Sequence, residues 1–228
     1  MIEVTQIRKS YGKKKVLSDI TFQVKSGECV AIAGKNGCGK STLMQIMAGT
    51  LKADAGKLCY FGENISYRSS AFHRLCGYVP QENPLLEELT VQDNLKLWGG
   101  SGNAYMEELI RQFQLEELLK TEVRKLSGGM KRRLSIASAL VENPPFVLMD
   151  EPTTALDLSY KESIHQWMKT YQQKKGIILM TTHDESEIRN ASRCLFMEEG
   201  KVQELDADSI LQKFASRSGE TAGQKKHL

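Results

Sequence analysis

The feature that most constrains this chain is a glycine-rich segment from residue 34 to residue 41, Gly34-Lys35-Asn36-Gly37-Cys38-Gly39-Lys40-Ser41. It fits the pattern G-x-x-x-x-G-K-[ST], follows the apolar run Cys29–Ala33, and precedes a stretch of helical character from Thr42 to Ala48. Glycines let the backbone curl so that successive N–H groups point inward, and the N-terminus of the next helix adds its positive dipole end. This order of elements predicts a strand, a phosphate-binding loop and a helix.

The residue types in this loop suit a nucleoside triphosphate. We expect Lys40 to neutralise charge on the β and γ phosphates and the Ser41 hydroxyl to bind Mg²⁺. The alternative, a surface turn with a solvated lysine, is disfavoured because the loop stands between an apolar strand and a helix. The predicted nucleotide-binding residues of this segment are Gly34, Lys35, Asn36, Gly37, Cys38, Gly39, Lys40, Ser41 and Thr42.

Two acidic residues, Asp150 and Glu151, end a second apolar run, Phe146–Met149. Ligands of open α/β sheets bind at the carboxyl ends of the strands. We therefore expect Asp150 to reach the Mg²⁺ shell and Glu151 to polarise an attacking water as a catalytic residue. Alone, the pair could equally be two solvated acids where a strand meets a turn.

A histidine, His183, follows a third predicted strand, Ile177–Thr182. A lone histidine is more often structural than functional. Here the end of a buried strand would place the imidazole beside the same phosphates, where it could donate a hydrogen bond to the γ phosphate. We therefore group His183 with Lys40 and Glu151 as predicted catalytic residues.

The order of apolar patterns predicts an α/β fold. The 228 residues correspond to about one and a half domains at roughly 150 residues per domain. Residues Ile2–Ile7 and Leu17–Val24 alternate as β-strands do, residues 86–142 are mostly helical, and Ile164–Tyr171 carries the spacing of an amphipathic helix between buried strands. Such alternation predicts a parallel sheet covered on both faces and interrupted by a helical insertion. The fold class that we predict is α/β with a parallel or mixed sheet, an N-terminal antiparallel β subdomain and an inserted helical subdomain.

Composition excludes several classes of function. The 31 Lys and Arg residues nearly balance 28 Asp and Glu residues, so we expect no nucleic-acid partner. The five cysteines are odd in number and form no C-x-x-C pair, which favours a reducing compartment over a disulfide framework or a zinc site. No signal-peptide pattern is visible, and no apolar run approaches the roughly 18 residues of a membrane span. We therefore expect a soluble, globular, cytosolic protein.

A third motif, Leu126-Ser127-Gly128-Gly129-Met130, gives the chain its family resemblance. It resembles the signature loop of the ATP-binding subunits of ABC transporters. The resemblance implies that Ser127, Gly128 and Gly129 contact the γ phosphate of ATP held by a partner subunit, as glycine N–H groups at a helix start can do. Standing alone, the loop would be interpreted as an ordinary helix N-cap.

Four further positions match this family in chain order. Tyr11 resembles the aromatic residue that stacks on adenine, with Val16 packing nearby. Gln81 resembles the glutamine that senses Mg²⁺ and the membrane partner, so with Ser41 and Asp150 it completes the implied metal set. Asp157, in Ala155-Leu156-Asp157, resembles the loop that communicates across the dimer, and His183 matches the switch histidine. Each match is weak alone, but their common order over residues 1–215 is specific.

The resemblance implies an ATPase with ATP and Mg²⁺ as cofactors, working as a head-to-tail dimer with a second copy or a related ATPase. ATP would bridge the phosphate-binding loop of one subunit and the signature loop of the other, and hydrolysis would release the interface. The other implied partner is a transmembrane permease subunit, which places the chain on the cytoplasmic, inner face of the cell membrane.

The resemblance also implies boundaries within one ABC-type ATP-binding domain, residues 1–228. Residues 1–85 and 143–215 would form the catalytic core with the β subdomain, and residues 86–142 the helical subdomain. We expect residues 216–228 to form a mobile tail, because they contain few apolar side chains.

The helix after the signature loop separates subgroups of the family. Met130 stands where many members carry glutamine, and Ser138 replaces a commonly basic residue. Residues 127–140 resemble exporter-type subunits more than nutrient importers. The helix also begins with three cations, an unfavourable placement against its dipole that a bound phosphate would offset: Lys131, Arg132 and Arg133.

Two other functions stay open on the sequence alone. Non-transport relatives act in translation, DNA repair and chromosome architecture, but they usually carry two such domains or long coiled-coil or zinc insertions. A small-molecule kinase would leave the signature loop and Gln81 unexplained. We therefore predict an ATP-hydrolysing subunit that powers transport, and export in particular, by a separate membrane permease.

Overall fold

Ten strands in two sheets form the framework of the computed structural model, which describes residues 1–99, 104–154 and 156–223. The smaller sheet is antiparallel and contains β1 (Ile2–Tyr11), β2 (Lys14–Val24), β4 (Ala55–Tyr60) and β5 (Glu63–Asn64). The larger sheet contains β3 (Cys29–Gly34), β6 (Cys76–Val79), β7 (Phe146–Asp150), β8 (Ile177–Thr181), β9 (Arg193–Glu198) and β10 (Lys201–Leu205). Its spatial order is β10-β9-β3-β8-β7-β6, and every neighbouring pair is parallel except β9 and β10. The predicted α/β fold with a mixed sheet and an N-terminal antiparallel sheet is confirmed.

The helices cover the sheets and fill the segment between β6 and β7. They are α1 (Lys40–Met47), α2 (Ala71–Leu75), α3 (Val91–Leu97), α4 (Ala104–Gln112), α5 (Gly128–Leu140), α6 (Leu158–Gln173), α7 (Glu185–Asn190) and α8 (Ala207–Gly223). Helices α3 to α5 and two short 3₁₀ helices, Glu116–Leu118 and Val123–Lys125, lie between β6 and β7 along the chain. This is where the sequence predicts an inserted helical region.

The central strands are buried on both faces, which explains why they read as continuous apolar runs. Every residue of β3, β7 and β8 is buried. Alternate side chains of β3 enter different cores: Ala31 packs with the α5 and α6 side, and Ile32 packs with α1 and the antiparallel sheet. The predicted apolar face of the Ile164–Tyr171 helix is buried in the first of these cores.

The strand order brings distant segments to one edge of the larger sheet. Because β3, β8, β7 and β6 run parallel as neighbours, their carboxyl ends meet there. In the pairing register, Thr181 lies opposite both Ile32 and Asp150, and Val79 lies opposite Met149. The phosphate-binding loop, the two acids, His183 and Gln81 therefore converge on the same edge.

Two features of the chain outside the sheets bear on the sequence predictions. The tail predicted from residue 216 begins inside α8, whose backbone is helical to Gly223, and residues 224–228 lie outside the described residues, as does Ala155. Among the described residues, the helices include none with the length and apolar character that a bilayer crossing requires.

Candidate active site

A cleft of about 560 Å³ lies at the carboxyl edge of the sheet. Of its lining residues, only Lys14 is absent from the sequence-predicted site. The lining residues are Tyr11, Lys14, Val16, Asn36, Gly37, Gly39, Lys40, Ser41, Thr42, Gln81, Glu151 and His183. The fold thus assembles one concave site from the antiparallel sheet, the glycine-rich loop and three different strand ends.

Glycine is required at the end of the loop for two independent reasons. Gly39 has a φ of +112°, in the region that side chains rarely adopt. A Cβ atom there would stand 2.9 Å from Leu17 Cδ2 and 3.1 Å from the Val16 carbonyl oxygen. Close packing against β2 and the left-handed turn into α1 therefore both depend on Gly39.

The ammonium group of Lys40 is held by the loop itself. Nζ donates to the carbonyl oxygens of Gly34 at 2.8 Å and Lys35 at 3.1 Å, and the residue is only 7% exposed. Gly34 and Lys35 do not line the cleft, nor does Cys38, whose pKa is raised by burial. We infer that these three residues stabilise the conformation of the loop without facing the cleft, whereas Lys40, Ser41 and Thr42 face it.

Thr181, a residue that the sequence analysis missed, joins the two acids. Its hydroxyl donates to Asp150 Oδ1 at 2.5 Å and accepts the Glu151 N–H at 3.1 Å. Asp150 is 2% exposed, and Glu151 adopts a φ of +51°. The sharp turn separates neighbouring carboxylates, so that Glu151 reaches the cleft while Asp150 stays at the strand end. The available signal was a threonine directly after the apolar run Ile177–Met180.

The Glu151 carboxylate is positioned between two further side chains. Oε2 accepts from the Thr154 hydroxyl at 3.2 Å, and Oε1 lies 3.5 Å from His183 Nδ1. The Glu151 side chain is 11% exposed, whereas that of His183 is 60% exposed. A largely desolvated carboxylate beside an imidazole is suited to accepting a proton from water.

The backbone next to His183 is anchored although the imidazole is exposed. Thr182 donates its N–H to the Ile32 carbonyl oxygen at 3.1 Å, and its hydroxyl donates to Glu187, a carboxylate that is 2% exposed. The position of His183 relative to β3 is therefore fixed by the fold.

The remaining predicted residues of the cleft lie at its rim. Tyr11 ends β1, is 52% exposed, and has Lys9 Nζ 5.6 Å from its ring centroid. Val16 belongs to β2, and Gln81 comes two residues after β6. Tyr11 thus lies at the rim of the cleft and is about half exposed, and its stacking on a base stays a prediction.

The signature loop and Asp157 do not line this cleft. Ser127 caps α5 by accepting the Met130 N–H at 3.3 Å, and a Cβ at Gly128 would meet nothing within 4 Å. Asp157 caps α6 by accepting the Tyr160 N–H at 3.1 Å. The open space at Gly128 shows that the glycine is not required by packing within this chain.

The three cations at the start of α5 each have partners within the chain. Lys131 Nζ pairs with Glu87 Oε1 at 2.5 Å. Arg132 and Arg133 are 5% and 3% exposed, and their guanidinium groups donate to main-chain carbonyl oxygens. All three cations therefore have partners within the chain, so a bound phosphate is not required to hold them.

Replacing Thr181 with valine is expected to lower the rate of ATP hydrolysis about tenfold, equivalent to about 1.4 kcal/mol. Valine keeps the shape of the strand but removes the hydroxyl that orients Asp150 and the Glu151 N–H. Steady-state phosphate release measures the effect, and Thr170→Val on α6 serves as the control. Equal rates in both variants would remove Thr181 from the site.

A glycine-rich loop joins the buried parallel strand β3 to helix α1, and a carboxylate ends β7, which is separated from β3 by β8 alone. This arrangement defines the protein as a P-loop nucleoside triphosphatase. The family model described as ABC transporter matches residues 17–154. The chain belongs to the ABC transporter family, and it is an ATP-binding, ATP-hydrolysing subunit.

Individual relatives agree with this assignment. The chain is 37% identical over 209 residues to the Nod factor export ATP-binding protein I of Rhizobium sp. (strain N33), covering 88% of this chain and 68% of the relative. The protein of the same name from Bradyrhizobium diazoefficiens is 36% identical over 220 residues, covering 92% and 72% of the two chains.

Solved structures with the same fold include two with more than a quarter of their residues identical. One is an ATP-binding cassette in a dimeric post-hydrolysis state bound to ADP and Pi, with a TM-score of 0.83, 27% identity, and coverage of 91% of this chain and 99% of that one. The other is the ATP-binding subunit of an ABC transporter, with a TM-score of 0.84, 30% identity, and coverage of 94% and 93%.

Proposed function

We propose that this chain powers export by a separate membrane permease through ATP-driven, head-to-tail dimer closure. The observation that carries the proposal is the division of the site. The glycine-rich loop, Glu151 and His183 line one cleft, whereas Ser127, Gly128 and Gly129 do not. A second subunit that presents its signature loop would complete the site, and the solved cassette bound to ADP and Pi is a dimer.

The oxygen donors at the cleft fit a magnesium ion. The Ser41 hydroxyl and the Gln81 amide line the cleft, and Asp150 lies at the adjacent strand end. Mg²⁺ prefers oxygen ligands, keeps several waters, and commonly binds one or two protein groups together with substrate phosphates. Bound there, it would neutralise charge on the β and γ phosphates.

The chain's own residues then have separable tasks. Lys40 neutralises the phosphates, and Glu151 accepts a proton from the attacking water. His183 donates a hydrogen bond to the γ phosphate, and Tyr11 stacks on the adenine with Val16 beside it. Ser127 and the N–H groups of Gly128 and Gly129 in the partner bind the γ phosphate, and Asp157 relays closure between subunits. Hydrolysis removes this bridge and opens the dimer.

We place the permease contact in a groove of about 640 Å³ next to the cleft. Its walls include Pro80, the residue before Gln81, and Trp98 after α3, whose side chain is 48% exposed. Ser138 also lines this groove, and its hydroxyl is buried without a hydrogen-bond partner among the described residues. A permease helix seated here on the cytoplasmic face of the membrane would contact both the Gln81 segment and the helical region. Export as the direction is supported by the names of the relatives.

The dimer is tested in a Glu151→Gln background, where slow turnover preserves bound ATP. We expect this variant to shift from monomer to dimer when ATP is added, as measured by size-exclusion chromatography with light scattering. Adding Ser127→Arg should prevent the shift, because a long cationic side chain would occupy the phosphate contact. Ser26→Arg is the matched control, since Ser26 is exposed just before β3, at the opposite edge of the sheet. Persistence of the dimer with Ser127→Arg would refute the head-to-tail arrangement.

A further inference from the structure

The side chain of Arg132 connects the signature helix α5 to the two strand ends behind the cleft. It is 5% exposed, and its donors reach the ends of both β6 and β7. At the end of β7, Nη2 donates to the carbonyl oxygens of Asp150 at 2.7 Å and Glu151 at 3.0 Å, and Nε donates to the carbonyl oxygen of Pro152 at 3.1 Å. At the end of β6, Nη1 donates to the carbonyl oxygen of Pro80 and lies 3.4 Å from the carbonyl oxygen of Gln81.

This arrangement needs an arginine rather than any cation. The guanidinium is a planar fork of five N–H donors, whereas a lysine ammonium is a single point of three donors. Burial disfavours the charged form and lowers the pKa of Arg132, while the nearby charges of Asp150, Glu151 and Glu187 oppose that effect. A buried cation is costly unless its N–H donors are hydrogen-bonded. The contacts with the carbonyl oxygens are therefore needed to keep the guanidinium buried.

The contacts fix the backbone turn from which Glu151 projects. The carbonyl groups of three consecutive residues, Asp150, Glu151 and Pro152, all point to the same side chain. Glu151 itself has a φ of +51°, a conformation that non-glycine residues adopt only when their surroundings impose it. Arg132 supplies that constraint, and through Pro80 it holds the segment that carries Gln81 in the same frame.

We propose that Arg132 is a positioning residue for ATP hydrolysis, which aims the Glu151 carboxylate into the cleft and ties it, together with the Gln81 segment, to the signature helix. The inference rests on the proposed role of Glu151 as the residue that accepts the proton from water. Arg132 itself touches neither nucleotide nor water in this scheme.

Its neighbour Arg133 is a matched control within the same helix. Arg133 is 3% exposed and also donates to carbonyl oxygens, those of Phe113 at 3.0 Å and Gln114 at 3.3 Å. Its guanidinium carbon lies 3.9 Å from the Tyr160 ring centroid. The two arginines therefore match in burial and type of contact, but only Arg132 holds the strand ends of the cleft.

The test compares Arg132→Lys with Arg133→Lys in the full chain. ATPase kcat and KM, binding of a fluorescent ATP analogue, and thermal unfolding are measured for each. We expect Arg132→Lys to lower kcat about 10- to 100-fold, with nucleotide affinity within about twofold of the parent. Arg133→Lys should lower the unfolding temperature comparably but leave kcat within about twofold. If Arg132→Lys does not fold, Arg132→Gln, which retains an amide donor, is judged by the same comparison.

A double variant separates positioning from structural damage. Because Arg132 acts through Glu151, adding Arg132→Lys to Glu151→Gln should lower the residual rate by no more than about twofold. The inference is overturned if kcat of Arg132→Lys equals that of the parent, if both arginine variants lose kcat equally, or if the losses in the double variant multiply. Parent-level turnover by Glu151→Gln alone would instead defeat the proposed role of Glu151.

Discussion

Replacing Glu151 with glutamine is expected to lower the rate of ATP hydrolysis by about 10²- to 10⁴-fold while leaving ATP binding intact. Glutamine is nearly isosteric, and its amide oxygen can still accept the Thr154 hydroxyl that contacts Glu151 Oε2. What it loses is the ability to take a proton from water. The lysine and hydroxyl groups expected to bind the phosphates are unchanged, so the affinity for ATP should be retained.

The measurement pairs single-turnover phosphate release with equilibrium binding of ATP. Glu162→Gln makes the same chemical change on an exposed face of α6 and should behave as the parent. Hydrolysis by Glu151→Gln at the parent rate would show that another group activates the water. Loss of both binding and hydrolysis would assign Glu151 to nucleotide binding instead.

Replacing Lys40 with alanine is expected to weaken ATP binding about 100-fold or more and to abolish turnover. A charge-assisted contact contributes about 1.5–3 kcal/mol, and Lys40 is expected to serve two phosphates. The change also removes the two hydrogen bonds that hold the Gly34 and Lys35 carbonyl oxygens, so the loop loses its internal support. Titration with ATP by calorimetry measures the loss directly.

Mixing experiments sharpen this prediction because, in the proposed head-to-tail dimer, each site draws on two subunits. Lys40→Ala retains an intact signature loop, and Ser127→Arg retains an intact phosphate-binding loop. Each variant alone should be inactive, and their mixture should regain activity by forming one complete site per mixed dimer. Lys52→Ala, an exposed lysine after α1, is the control for charge removal. Unchanged ATP affinity of Lys40→Ala would remove the assignment of the phosphate-binding loop.

Local patterns were sufficient to predict the parts of the site that a short stretch of chain determines. The buried strands before the glycine-rich loop and before Asp150 read as continuous apolar runs because both of their faces are covered. The loop is recognisable because Gly39 and Lys40 serve needs that few other residue types meet. The glycine-rich loop and the acidic end of β7 meet at one edge because the strands are parallel, and the alternation of strands and helices predicts parallel strands.

Contacts that depend on the register between strands could not be predicted from local sequence patterns. Thr181 belongs to the site only because it lies opposite Asp150 across the ladder of β7 and β8. Arg132 bonds the Pro80 carbonyl oxygen, 52 residues away in the chain, and no periodicity encodes such a partner. The charge of Arg132 suggested an anionic partner, whereas its partners in the fold are main-chain carbonyl oxygens. Side chains that bond distant backbone are invisible to local patterns for this reason.

The cap that Ser127 forms on its own helix bears on how fast two subunits can meet. Its oxygen accepts the Met130 N–H, while its hydroxyl proton can still be donated to a phosphate oxygen. Under the proposed function, binding of the partner's phosphate by Ser127 would therefore break no internal hydrogen bond and require no refolding of the loop. The signature loop already has its ordered conformation in the free subunit, so its ordering adds little to the entropic cost of association. Association should be governed by diffusion and orientation, and the lifetime of the closed pair by the chemistry of the bound phosphate.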